Sequence, residues 1–245
     1  MSGSVLTRIN TKISANVNKP VLLLLHGGFG SVEDFNNIIS ELKDEFRIIG
    51  IDSRGQGKST LEEVTFYYEL LQRDIESILK HLHVTDLNII GISDGGVVAY
   101  HLASYSDLKI KKIITIGSRW HGDNAIETKE ILSSVTSESW KKKFPETVAL
   151  YESINPAPNF DKLSQRVVNM WMNEKSYPNA VVKNISAQTL IIRGDKDHPI
   201  KRKFVFALAE NIEGVNLSNI AFAGHVVYTE ELQILMLTIN KFLEE

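Results

Sequence analysis

Cysteine is absent from the 245-residue chain. That removes disulfides, thiol nucleophiles, C-x-x-C redox chemistry and thiolate metal ligands. A chain without thiols is compatible with a reducing compartment, and a cytoplasmic location is the expectation. No apolar run approaches the roughly 20 residues that cross a bilayer, so no membrane association is expected. The opening MSGSVLTRIN lacks the basic stretch and apolar run of a secretory leader. An excess of charge is missing too. Lys plus Arg is 27 against 30 for Asp plus Glu, a formal charge of -3, which offers no basic footprint for nucleic acid. No H-E-x-x-H pattern occurs, and no metal or cofactor is expected. There is no internal repeat and no low-complexity segment. The expected partner is a small-molecule substrate; nothing in the pattern addresses oligomeric state.

What is present is a succession of short aliphatic runs: Val21–Leu25, Phe46–Ile51, Leu87–Ile92, Ile110–Ile116, Thr189–Ile192 and Leu217–Phe222. They are nearly continuous in hydrophobicity, as strands buried on both faces are. Val5–Ile13 alternates more and suggests an antiparallel edge hairpin. Helical patterns separate the runs. Leu70, Leu71, Ile75, Ile78 and Leu79 recur at helical spacing after a candidate cap, Thr65. Ser31 and Asp34 form a capping-box pattern. Val97–Ala103, Phe204–Leu208 and Glu231–Phe242 also read as helices. The alternation predicts an α/β fold with a mostly parallel, doubly wound sheet.

Between Ile116 and Thr189 no strand pattern occurs. Ala125–Leu132, Ser139–Tyr151 and Phe160–Trp171 read as helices, and the stretch holds four of the six prolines and all three tryptophans. The expected organisation is a core of residues 1–118 and 185–245, with residues 119–184 inserted as a helical cap over the strand ends where ligands bind in such sheets. Lys141–Lys143 reads as a solvated helix face.

Gly91-Ile92-Ser93-Asp94-Gly95 fits G-x-S-x-G, with a strand pattern before it and a helical one after it. That is the context of a nucleophile elbow. A serine hydroxyl is a weak nucleophile, and a tight strand-to-helix turn lifts it toward a base. His26-Gly27-Gly28-Phe29-Gly30 follows an early strand and could supply a backbone oxyanion donor, Gly28 or Phe29, with Asp94 N–H as the second. The glycines fail the dinucleotide fingerprint because its third glycine position holds Glu33. Gly57-Lys58-Ser59 ends like a phosphate loop, but its first glycine position holds Asp52. The stretch Asp52–Ser59 therefore reads as a structural turn, with Arg54 paired to a carboxylate.

The base and its orienting acid should follow the serine. Of seven histidines, four lie beyond Ser93: His101, His121, His198 and His225. His225, in a loop between the last strand and the last helix, is placed to be the base. Asp197 and Asp195 compete for the acid after Thr189–Ile192, with Asp197 preferred and Asp123 a minor candidate. Asp195, beside a glycine, suits a turn-capping role. Trp120, Trp140, Phe144, Tyr151, Phe160 and Trp171 are candidates for an apolar pocket. Phe29, Asp94 and Trp120 are the expected substrate-binding residues.

Taken with Leu25-His26-Gly27-Gly28, Asp52-x-Arg54-Gly55-x-Gly57-x-Ser59, Gly194-x-x-Asp197 and Gly224-His225, the elbow makes the chain resemble the α/β-hydrolase superfamily along nearly its whole length. The resemblance implies Ser93 as nucleophile, His225 as base and acid, Asp197 as triad acid, and Gly28 and Asp94 as oxyanion donors. Ser93-Asp94-Gly95-Gly96 and Ala149-Leu150-Tyr151 are similar to the small serine hydrolases around valacyclovir hydrolase. There the acid after the serine is linked to an α-amino group on the ester substrate. The implied activity is hydrolysis of a small ester, thioester or amide. The alternatives are C–C bond hydrolysis, perhydrolysis and ligand binding without catalysis. Nucleotide binding is disfavoured by the glycine mismatches.

Overall fold

The computed structural model describes residues 8–245. Each aliphatic run forms a strand: β2 (Val21–Leu25), β3 (Arg47–Ile51), β4 (Asp86–Ile92), β5 (Lys109–Ile116), β6 (Gln188–Gly194) and β7 (Asn216–Ile220), preceded by β1 (Thr11–Ile13). The seven strands form one sheet in the order β1-β3-β2-β4-β5-β6-β7. All neighbouring pairs are parallel except β1, which runs antiparallel to β3 with Thr11 opposite Ile51. The expected hairpin is instead one edge strand whose partner is β3; the rest of that expectation, residues 5–7, lies outside the described residues.

Alternation along the strands feeds two cores, as the period of two requires. Leu22, Leu24, Ile48, Ile90, Ile92, Ile114 and Ile116 pack on one face against residues of α1 (Asn36–Leu42), α10 (Val227–Glu230) and α11 (Leu232–Glu244). Leu23, Leu25, Ile49, Ile51, Ile89 and Ile113 pack on the other with α2 (Tyr68–His81), α3 (Asp94–Tyr105) and α9 (Arg202–Ala209). Leu71, Ile75 and Leu79, four residues apart, form the buried stripe of α2. This helix begins at Tyr68, with Tyr67 as its uncapped N-cap, and not at Thr65. Ser31 and Asp34 do form a reciprocal box, on a short 3-10 turn over Val32–Phe35.

Between β5 and β6 lie five helices and no strand: α4 (Gly122–Glu127), α5 (Lys129–Ser133), α6 (Ser137–Lys143), α7 (Pro145–Ile154) and α8 (Phe160–Met172). Two of the three expected helices are each split in two. Pro145 explains one break: it opens α7 as its first residue, because its ring cannot sit inside a continuing helix. The other break falls at Thr128, whose φ -110 and ψ 14 leave the helical region. A Cβ on Gly28, just after β2, would lie 2.6 Å from the Trp171 ring of α8, so α8 packs against the loop at the carboxyl end of that strand.

The chain runs outward from β2 to β3, then crosses back to β4 on the other side. The direction of winding therefore reverses between β2 and β4, and ligands of open α/β sheets bind at the carboxyl ends of strands at such a reversal. Gly27 and Gly28 follow β2, and Ser93 follows β4.

Candidate active site

Ser93 sits between β4 and α3 with φ 50 and ψ -113. This is a left-handed backbone that a side chain adopts only at a cost of about 1–3 kcal/mol, and such strain gathers at functional sites. It is held by Ser93 N–H, which donates to Ile116 O at 2.8 Å, while Ser93 O accepts from Gly96 and Val97 N–H. The turn closes only over glycine. A Cβ on Gly91 would lie 2.6 Å from the Gly95 backbone, and one on Gly95 would lie 1.9 Å from Leu25 O. A Cβ on Gly27 would lie 3.1 Å from Ser93 Cβ, so the loop after β2 runs directly beside the serine.

The loops after β6 and β7 bring up two further groups. His225 Nδ1 lies 2.9 Å from Asp197 Oδ2, and His225 Nε2 lies 3.2 Å from Ser93 Oγ. A carboxylate only accepts, so Nδ1–H donates to Asp197 and leaves Nε2 as the acceptor facing the serine hydroxyl. Asp197 is sealed, with its side chain 0% exposed, whereas the His225 side chain is 33% exposed. Ser93 is half-buried, so solvent reaches the serine and imidazole but not the acid. Asp197 Oδ1 accepts from Ile200 N–H at 2.9 Å. Buried Arg193 ties the loop together, donating to Ile200 O, Asp197 O and Asn219 Oδ1.

Asp195 takes neither the acid's place nor the expected turn-capping role. It is partly exposed, accepts from Asn219 and pairs with Arg202, contacts that hold its carboxyl below the usual carboxylate range. Asp123 and His198 are exposed. His101 is buried on α3, with Nε2 2.8 Å from Ser176 O. His121 caps α4.

Gly28 and Asp94 meet across the loop: a Cβ on Gly28 would stand 2.8 Å from Asp94 Oδ2 and 2.6 Å from the Trp171 ring. Among the described residues neither the Gly28 nor the Asp94 backbone N–H has an acceptor. Phe29 N–H, the other candidate donor, is taken by Gln56 Oε1 at 2.5 Å. The Asp94 carboxylate is buried and accepts from Tyr68 Oη at 2.8 Å and from Trp171 Nε1 at 2.8 and 2.9 Å. Burial pushes this carboxyl up; the Trp171 and Tyr68 bonds oppose the shift. Burial, then the charge of Asp94, pushes the Tyr68 phenol well up.

Phe29 packs against Trp140, Phe160 and Trp171, with ring centroids 4.7, 5.3 and 5.3 Å away. These aromatic rings form one wall, which Trp171 carries up to Gly28 and the Asp94 carboxylate. Trp120 lies elsewhere. Its indole N–H donates to Phe204 O at 2.8 Å and its ring meets His121, so its contacts are with α9 and the start of α4 and not with the wall.

Asp52–Ser59 is a structural turn. Buried Asp52 accepts from Val32 and Lys58 N–H, and Arg54 pairs with Glu62 and Asp74. Tyr68, Gln56 and Arg193 were not among the expected site residues. Only tertiary packing assigns them, apart from Gln56, which occupies an unspecified position inside the Asp52–Ser59 motif. Among the described residues no three His, Asp or Glu side chains are grouped as a metal site requires, and no helix is long and apolar enough to cross a membrane.

The alpha/beta hydrolase fold family profile matches residues 20–151. A Haemophilus influenzae protein carrying an esterase/lipase name is 23% identical, covering 100% of this chain and 90% of its own. Among solved structures, an alpha/beta hydrolase enzyme from a Medee basin deep-sea metagenome superposes with a TM-score of 0.82 at 17% identity, over 98% of this chain and 95% of its own. The enol-lactonase of Burkholderia xenovorans LB400 gives 0.79 at 18% identity, over 98% and 97%. Both are likenesses of fold. With the profile spanning more than half of its length, the chain belongs to the alpha/beta hydrolase fold family.

Proposed function

We propose that the protein is a serine hydrolase that cleaves a small ester, or a thioester or amide, through an acyl-enzyme. Membership of the family supports hydrolase activity in general. The observation that carries the finer reading is the bridge made by His225, 2.9 Å from Asp197 and 3.2 Å from Ser93, three groups from the ends of three different strands. In this reading Ser93 Oγ attacks the carbonyl carbon as its proton passes to His225 Nε2. The charge on the imidazole is balanced by Asp197, and the oxyanion is held by Gly28 and Asp94 N–H. The leaving group departs with the proton from His225. Water, deprotonated in turn by His225, attacks the acyl-enzyme and frees Ser93.

Residues 119–184 serve as a cap in this reading, contributing Trp140, Phe160 and Trp171 to the apolar wall. The absence of cysteine and the near-balanced charge agree with a cytoplasmic enzyme that handles small molecules. The resemblance at Ser93-Asp94 adds α-amino esters to the substrates worth screening: Asp94 Oδ2 holds only the Trp171 donor and has acceptor capacity left for an ammonium group.

Turnover of 4-nitrophenyl acetate and butyrate by the purified protein tests the proposal. Ser93→Ala is expected to lower kcat by about 1,000-fold or more. Turnover unchanged by that substitution contradicts the assignment. Binding of small esters without turnover in the parent protein supports a non-catalytic relative instead.

A further inference from the structure

Arg119 is 6% exposed and forms no ion pair among the described residues. Its Nη2 donates to Thr128 Oγ1 at 3.2 Å and, at the limit of hydrogen bonding, to Pro199 O at 3.5 Å. The Nε donor is buried with no partner. One buried donor of a permanently charged group is therefore unmet, and Nη1 has no acceptor among the described residues. Other buried arginines of this protein are handled differently: Arg54 is paired with Glu62 and Asp74, and Arg193 is held by carbonyls and Asn219. An unpaired buried charge is expensive, and native structures carry one where something else completes it.

The backbone places Arg119 at the site. Gly117, at φ 61, is so close to the triad that a Cβ there would lie 3.1 Å from Asp197 Oδ2 and 3.2 Å from the His225 ring. Ser118 lies against Gly96 of the elbow. Arg119 is the next residue, and Pro199, which its Nη2 faces, belongs to the loop that carries Asp197. The positive charge is felt at the Asp94 carboxyl and at the Tyr68 and Tyr177 phenols, all three of them buried. Asp94 makes no contact with the guanidinium among the described residues; its side-chain partners are Tyr68 and Trp171. Glu127, the acidic residue one turn along α4, is turned outward to Lys201 and Lys203.

We propose that Arg119 is an anion subsite of the Ser93 site, and that the substrate carries a carboxylate in addition to the ester or lactone bond that reacts. A single guanidinium with a buried carboxylate already in range of its charge suits one monoanionic group, and Arg is the side chain whose donors match carboxylate oxygens. The inference rests on the serine-hydrolase reading, and it narrows the substrate class.

Two substrate pairs test it, each matched except for charge. For the acyl side, 4-nitrophenyl hydrogen adipate is compared with 4-nitrophenyl hexanoate. For the alcohol side, 4-acetoxybenzoate is compared with 4-acetoxybenzamide. The ratio of kcat/KM, anionic over neutral, is measured in the parent, Arg119→Gln and Arg119→Lys. One charge-assisted bond is worth about 10-fold or more. The parent is expected to favour the anion by that factor in one arm, which also locates the carboxylate on the acyl or alcohol side. In Arg119→Gln the ratio falls to about one, through KM. If Arg119→Gln does not fold, Arg119→Lys decides, because lysine lacks the planar fork and its ratio is expected to fall at least about threefold. A parent with no preference in either arm, or a preference that survives substitution, overturns the proposal. If no ester is turned over, the hydrolase reading fails by itself. Calorimetric titration of adipate then decides this inference alone: heat of binding in the parent that is lost in the Arg119 variant supports it, and no binding by the parent overturns it.

Discussion

Asp195 and Asp197 stand two residues apart after β6, and only Asp197 has its side chain sealed from solvent, at 0% exposure against 31%. A sealed carboxylate that accepts from Ile200 N–H and faces Nδ1 of His225 can fix one tautomer of the imidazole; an exposed one paired with Arg202 cannot. Asp197→Asn is therefore expected to lower kcat by about 1,000- to 10,000-fold, because the amide no longer enforces that tautomer. Asp195→Asn is expected to stay within about fivefold of the parent, since exposed ion pairs contribute little. Steady-state kinetics of both variants on one ester checks the contrast.

At Asp94 the prediction concerns stability. Burial raises its carboxyl above the ordinary value, so the folded state disfavours ionisation relative to the unfolded chain. Its contribution is fully present below the ordinary aspartate value of about 3.9 and is lost as pH rises through the raised one. Asparagine does not titrate. The stability of Asp94→Asn relative to the parent is therefore expected to increase across that window, superimposed on a constant offset from the altered contact with Trp171. Urea denaturation at a series of pH values reads the slope, and a pH-independent difference contradicts it.

At the scale of elements, the elbow shows how a short motif specifies geometry. Gly95 is required because α3 starts against the end of β2, where a methyl group would strike the Leu25 carbonyl. The clash is with backbone, so Gly95→Ala is expected to destabilise by more than about 3 kcal/mol, beyond ordinary overpacking. Thermal unfolding checks this, and a variant within 1 kcal/mol of the parent, about 2–4 °C for a chain of this size, contradicts it. The inner strands β2, β3, β4 and β6 were legible because both of their faces are buried, which leaves a continuous aliphatic signature. Helix limits were less so. Thr65 has the chemistry of a cap, but α2 starts three residues later, where Tyr68 N–H donates to Ser176 Oγ across the structure. Periodicity also ran through Thr128 and Phe144, where the chain breaks its helices.

Across the whole molecule, the candidate site draws residues 28, 93, 197 and 225 to one reversal point of the sheet. Those positions were legible because each follows a strand, and strand ends in a parallel sheet share one edge. What surrounds them was not. The Tyr68–Asp94–Trp171 network joins α2, α3 and α8, and no local pattern pairs residues so far apart. Arg193 lies within β6 and carried no signal of its bonds to the Asp197 loop, and nothing local to Trp120 announced that its indole N–H donates to Phe204 O of α9.

The central claim is that His225, oriented by Asp197, activates Ser93 for attack. The most direct measurement is the rate and position of covalent labelling by a fluorophosphonate, followed by peptide mass spectrometry. The account predicts one adduct, on the peptide carrying Ser93, absent from Ser93→Ala and formed at least about 1,000-fold more slowly in His225→Ala. A label on another residue, or labelling of Ser93 at the parental rate without His225, would contradict it.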